Sequence, residues 1–146
     1  MELPDKRIVR FISKHHVLTL ATCSGSKPWC ANCFYVYAED ENSLVFTSDY
    51  DTKHVKDVLE NSNVAGSIVL ETKLVGKIQG IQFRGVMTVP EEREMHKIKR
   101  AYLKRFPYAV IMNTTLWKVK INYIKMTDNR LGFGRKLIWK ETVRDN

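Results

Sequence analysis

The sequence has no apolar run approaching the ~18–20 residues that a membrane-spanning helix needs. It has only three cysteines in 146 residues, an odd number that makes no disulfide framework, so a reduced, cytoplasmic setting is the default expectation. Its opening, MELPDKRIVRFISKHH, is charged throughout without a continuous apolar stretch, so no secretory leader is expected. The GxSxG, HExxH, GxxxxGK and GxGxxG patterns are all missing, which removes the hydrolase, zincin, P-loop and dinucleotide-binding fingerprints. No repeat, linker or low-complexity arm interrupts the chain, and its length suits one domain over residues 1–146.

Acid is scarce relative to base. The chain carries 24 Lys and Arg against 16 Asp and Glu, a formal net charge of +8. Its apolar share of 44% and charged share of 27% match folded globular chains and argue against wholesale disorder. Such an excess fits nucleic acid, an anionic membrane or a small phosphorylated ligand, and composition does not choose among them. The cations are spread along the chain, from Lys6/Arg7 through Lys53/Lys56 and the Lys97–Arg105 segment to Arg135/Lys136.

Periodicity organises the rest. Pro4 suits a first helical turn, and Ile8, Val9, Phe11 and Ile12 recur at helical spacing, so residues 4–15 read as a short amphipathic helix. Residues 16–50 alternate β-branched or aromatic residues with small and polar ones, broken at Ser24–Pro28 and Glu39–Asn42, which reads as three strands and two hairpin turns. Asp51 and Thr52 open a second helix with Val55, Val58 and Leu59 on one face. Strands follow over Val64–Leu70 and Gly76–Val89, the latter with Gly80 and Gly85 as places for bends or bulges. A helix from Glu91 to Arg105 turns Met95, Ile98, Tyr102 and Phe106 inward, and a strand from Leu116 to Met126 precedes an apolar piece at Lys136–Trp139. This order gives a mainly β fold, a small antiparallel barrel with flanking helices.

Cys30-Ala31-Asn32-Cys33 has the CxxC spacing of redox dithiols, but it falls mid-strand, where residues i and i+3 point to opposite faces. Cys23, Cys30 and Cys33 with a histidine from His15, His16, His54 or His96 could supply four zinc ligands, yet no second CxxC or HxxxH completes the pattern, and no metal is expected. Small buried hydrophobes are the plainer reading of these cysteines. His15-His16 reads as the end of the first helix.

The segment Phe46-Thr47-Ser48-Asp49-Tyr50-Asp51-Thr52-Lys53 is the informative one. There a strand ends in hydroxyls and runs into a helix start bearing a lysine. Hydroxyl donors, helix-start amides and an ammonium together suit a phosphate monoester, whereas the plainer reading is capping by Thr52 beside a solvated Lys53.

HVLTLAT, the Gly-Ser-Lys-Pro turn, WCANCFYVY, LVFTS with the following TKHVKDVLENSNVAGSI, and GIQFRGVMTV resemble the FMN-binding split barrel of the pyridoxamine 5′-phosphate oxidase-like superfamily. Within it, WCANCFYVY, GIQFRG, Lys104–Pro107 and TDNRLGFGRKLIW resemble an uncharacterised bacterial family over nearly the whole chain. The resemblance implies a Greek-key split barrel that forms homodimers, with FMN in clefts between the subunits. It places the cofactor phosphate on Thr47, Ser48, Thr52 and Lys53, the flavin ring beside Cys30, Ala31 and Asn32, and Gln82 near the ring. Trp139, or less directly Trp117, would cover the ring from the partner subunit. The oxidases carry an arginine where this chain has Thr52, and their C-terminal paired arginines and histidine are missing, so pyridoxamine phosphate is not the implied substrate.

A flavin-dependent oxidoreductase of undefined substrate is the function this resemblance implies. Two alternatives stand beside it: a non-catalytic flavin, haem or deazaflavin binder of the same fold, and a basic nucleic-acid-binding module using Trp29, Phe34, Tyr35 and Tyr37 as a stacking platform.

Overall fold

The computed structural model describes residues 3–111 and 113–142. Asp5 accepts the Arg7 amide at 2.8 Å and starts α1 (Lys6–Lys14), which buries Ile8, Phe11 and Ile12. At its end the His15 Nδ1 lies 2.8 Å from the Phe11 carbonyl oxygen. Strands β1 (Val17–Ser24), β2 (Lys27–Ala38) and β3 (Ser43–Ser48) form a meander. Gly25 and Ser26 with positive φ make the first turn, and Asn42 in the left-handed region closes the second. Helix α2 (Lys53–Glu60) leads to β4 (Asn63–Val69) and β5 (Gln79–Thr88), then α3 (Glu92–Arg105), β6 (Thr115–Asp128) and β7 (Lys136–Lys140) follow.

All pairings are antiparallel in the order β3-β2-β1-β4-β5-β6-β7, and β6 also pairs with β3, which closes six strands into a barrel. The closure is split along β6: residues 115–120 pair with β3, and residues 123–127 pair with β7. At the division the inward phase of β6 changes, from Trp117, Val119 and Ile121 to Ile124, Met126 and Asp128. The cause is a register shift opposite Arg84 and Gly85 that leaves Asn122 without a partner on β5. Gly85 permits it, because a Cβ there would lie 2.3 Å from the Lys120 carbonyl oxygen. Gly80, the other expected bend, keeps regular register with Val69 and Thr127.

Helices α1 and α2 plug the barrel. Ile8, Phe11 and Ile12 from one, and Val55 and Val58 from the other, join Leu18, Leu20, Tyr35, Phe46, Phe83 and Ile124 in one core. Each such large apolar side chain contributes ~1.5–3 kcal/mol on burial. Helix α3 lies outside the barrel, where Ile98, Tyr102 and Phe106 pack with Val45.

Other details also differ from the sequence expectations. Leu59 is exposed while Asp57 is buried, because Asp57 turns toward β1 and accepts the Thr22 hydroxyl at 2.8 Å. The strand expected from Gly76 begins at Gln79, since Val75–Lys77 form a 3-10 turn. Tyr35 and Tyr37 are buried, their hydroxyls donating to the Ile12 carbonyl at 2.6 Å and Asn42 Oδ1 at 2.7 Å, so of the proposed stacking aromatics only Trp29 and Phe34 face solvent. Among the described residues, no helix is long and apolar enough to cross a membrane.

Candidate functional site

Strand alternation turns every second side chain outward, and antiparallel register aligns these side chains in rows across the barrel wall. One row runs Asn32, Thr19, Ser67, Gln82, Lys125, and the next runs Cys30, Ala21, Ala65, Arg84, Tyr123. Between them the inward row is Ala31, Leu20, Gly66, Phe83, Ile124. Ala31 therefore presents only its backbone to the outer wall. At Gly66 a Cβ would fall 2.3 Å from the Phe83 ring and 2.5 Å from the Thr19 carbonyl oxygen, so the wall is as thin here as backbone allows.

The two rows, apart from Asn32 at the end of the first, floor an open cavity of about 440 Å³, with Cys30 and Gln82 both in its lining. It is continuous through Ala21, Ala65, Arg84 and Tyr123 with another of about 780 Å³ that reaches Asn63 and Lys140. Thr19 Oγ1 donates to Asn32 Oδ1 at 2.9 Å and so leaves the amide nitrogen of Asn32 outward as a donor. The Arg84 guanidinium sits 4.6 Å over the Tyr123 ring centroid, with the Lys140 ammonium 5.9 Å from the same ring. The floor is thus small and flat, edged by amide and hydroxyl groups on one side and by cations on the other.

Cys30 is exposed and Cys33 buried, as opposite faces of β2 require, and the three cysteines are free. Burial pushes the Cys33 thiol up to about 11. No group of three metal-ligating side chains occurs among the described residues.

The hydroxyl-lysine segment lies where β3 meets α2. Ser48 Oγ is 2.6 Å from His54 Nε2, and Thr52 Oγ1 lies 3.3 Å and 3.4 Å from the same two atoms while donating to the Asp49 carbonyl at 2.8 Å. Burial holds the His54 imidazole below its ordinary range, against the pull of Asp57. Lys53 donates to Asp57, whose carboxyl is held below the usual range chiefly by that bond and also by the Thr22 hydroxyl. Thr47 points the other way, 3.3 Å from the Tyr102 hydroxyl. Ser48, Thr52 and His54 are therefore brought together, Thr47 is not, and Lys53 lines a separate cavity with Ser24, Lys27, Lys56 and Glu60.

Trp139 stands opposite Ile124 and packs on the core of its own chain. Trp117 is buried, with Nε1 donating to the Ser48 carbonyl at 3.1 Å. Sequence reasoning missed Thr19, Ser67, Arg84, Tyr123 and Lys125, because only the pairing register joins them to Gln82. His54 carried a local signal, one residue after Lys53.

A six-stranded antiparallel barrel that divides along one strand, plugged by helices and with its cleft on the outer wall, is a split barrel. The chain belongs to the pyridoxamine 5′-phosphate oxidase family, whose model matches residues 4–128, and within it to the UPF0306 proteins. A UPF0306 protein of Photorhabdus laumondii is 42% identical over 134 residues, 91% of this chain and 93% of that one. In fold, the chain is similar to a haem-binding protein from Mycobacterium smegmatis (TM-score 0.75, 19% identity) over 90% of this chain and 55% of that one. It is similar also to a FAD-binding protein from Mesorhizobium loti (TM-score 0.67, 13% identity), covering 82% of this chain and 91% of that one.

Proposed function

We propose that this chain is an FMN-binding protein and flavin-dependent oxidoreductase, with its cofactor on the outer wall between two copies of the barrel. The observation that carries this reading is the pair of outward rows: a floor of Cys30, Ala21 and Ala65 small enough for a planar ring, bordered by Asn32, Thr19, Ser67 and Gln82. Those four supply the donors and acceptors that a ring with an amide edge requires. A porphyrin fits less well, since neither row contains a histidine to ligate iron. The barrel interior is filled by its own core, so a ring has room only outside it.

The bound flavin would supply hydride or electron transfer. The chain's own residues would bind, orient and shield. Asn32 and Gln82 fix the ring edge by hydrogen bonds, and Lys125 and Arg84 place positive charge beside the site. Lys53, with Ser48 and Thr52 at the start of α2, would hold the phosphate, which requires the ammonium to leave Asp57. A second copy applied to the exposed Phe34, Val17 and Val69 would exclude water from the ring.

Equilibrium dialysis against FMN and, separately, haemin tests the reading. Saturable FMN uptake, with the visible absorption of a flavin appearing in the protein compartment, is the expected result. Haemin uptake without FMN uptake, or neither, overturns it.

A further inference from the structure

We infer that the cleft between α1 and the ends of β4, β5 and β6 is a second ligand site, one that takes a phosphoryl group, free or carried on a short organic chain. It lies at the end of the barrel opposite α2: Val17 at the start of β1 follows α1, whereas Thr22 and Ser24 near its other end bond to α2. Its lining is unusual in composition. Arg7, Arg10, Lys14 and Arg130 stand around Phe11, Leu70 and Met126, in a cleft of about 170 Å³. That is room for roughly six waters at about 30 Å³ each, enough for a phosphoryl group and a few carbon atoms.

The charges do not balance locally. Arg7 pairs with Asp5 at 2.7 Å and Arg130 with Asp128 at 2.8 Å, which positions those guanidinium groups and neutralises them. Arg10 and Lys14 have no hydrogen bond or ion pair among the described residues. Four cations against two carboxylates leave two positive charges, the match for a dianion. Helix α1 itself, KRIVRFISK, contains no acid, so Arg7, Arg10 and Lys14 repel one another along one face instead of pairing at i,i+4. Lys14 sits favourably at the helix C-terminus, but Arg10, in mid-helix, gains nothing from the helix dipole. The apolar floor lowers the local dielectric and focuses the field of the cations into the cleft, and the arginine forks match phosphate oxygens bidentately. The Gln79 side chain adds a neutral donor in the same lining.

The test is a titration of the 15N-labelled full chain with inorganic phosphate and, in parallel, glycerol 3-phosphate, at ionic strength held constant with NaCl. Saturable shifts at Arg10, Lys14, His15 and Gln79 are expected. The exposed double substitution R10Q/K14Q weakens binding by about tenfold or more, as loss of charge-assisted hydrogen bonds requires, and the single R10Q does so partly. The equally charge-reducing K99Q/R100Q on α3 leaves it unchanged. Tighter binding of glycerol 3-phosphate assigns the site to a phosphomonoester, and equal or weaker binding assigns it to free phosphate. The inference is overturned if shifts do not saturate, if they are confined to Thr52 and Lys53, or if R10Q/K14Q binds like the parent.

Discussion

Replacing Gly85 with alanine is the sharpest perturbation of the barrel. The added Cβ would lie 2.3 Å from the Lys120 carbonyl oxygen and 2.9 Å from Val119 Cγ1, where ordinary contact begins at 3.4 Å. The nearest obstacle is ladder backbone, so the β5–β6 rungs must move by roughly 1 Å. Overpacking of this kind costs ~1–3 kcal/mol, and an obstacle with no rotamer to change puts Gly85 at the upper end. Gly76→Ala is the control, with nothing within 4 Å of the new methyl, and it gains ~0.4–1 kcal/mol from the stiffer unfolded chain. A difference of ~3–4 kcal/mol between the two, at ~2–4 °C per kcal/mol for a domain of this size, separates their melting temperatures by ~6–16 °C. Gly80→Ala, with 3.3 Å to the Ile68 carbonyl oxygen, falls between them. Thermal unfolding followed by far-UV circular dichroism measures the series. If Gly85→Ala melts within about 2 °C of Gly76→Ala, the bulge does not need a bare backbone at Gly85.

Other outcomes follow from single residues. His54 is kept below its ordinary pKa by burial, so the unfolded chain binds the extra proton and stability declines as pH drops below ~6.5; His54→Gln flattens that decline in urea unfolding at pH 5 and 7.5. In the native protein a chromogenic disulfide reagent titrates exposed Cys30 first and leaves buried Cys33 unreacted until denaturant is added; fast reaction of Cys33 would contradict its placement. Tyr35→Phe removes the 2.6 Å bond to the Ile12 carbonyl, costs ~1 kcal/mol and lowers the melting temperature by ~2–4 °C, measured calorimetrically.

The barrel was legible because most of its strands alternate in burial. VLTLAT and SLVFTS bury alternate or successive apolar residues, and turn residues such as Gly25 and Asn42 sit where the backbone needs positive φ. Leu59 was misplaced because helical periodicity does not anticipate that a carboxylate, here Asp57, takes an inward position when it is satisfied from another element, by Thr22 thirty-five positions earlier. The outer rows were hidden for a different reason. Thr19, Ser67 and Lys125 become neighbours of Gln82 only through register, and in β6 that register depends on the extra residue Asn122, which no local pattern announces. Cys30 and Asn32 could be placed on one face by alternation alone, but which strands would flank them could not.

Whether the outer floor holds a flavin, as proposed, is decided by a fluorescence titration of FMN into the parent and an Ala65→Trp variant. Ala65 lies mid-row on that floor and its side chain points away from the core, so an indole there occupies the ring's place without entering the barrel. The expected result is saturable quenching of FMN by the parent and none by Ala65→Trp at equal melting temperature. FMN that remains unquenched by the parent, or is bound as tightly by the variant, contradicts it.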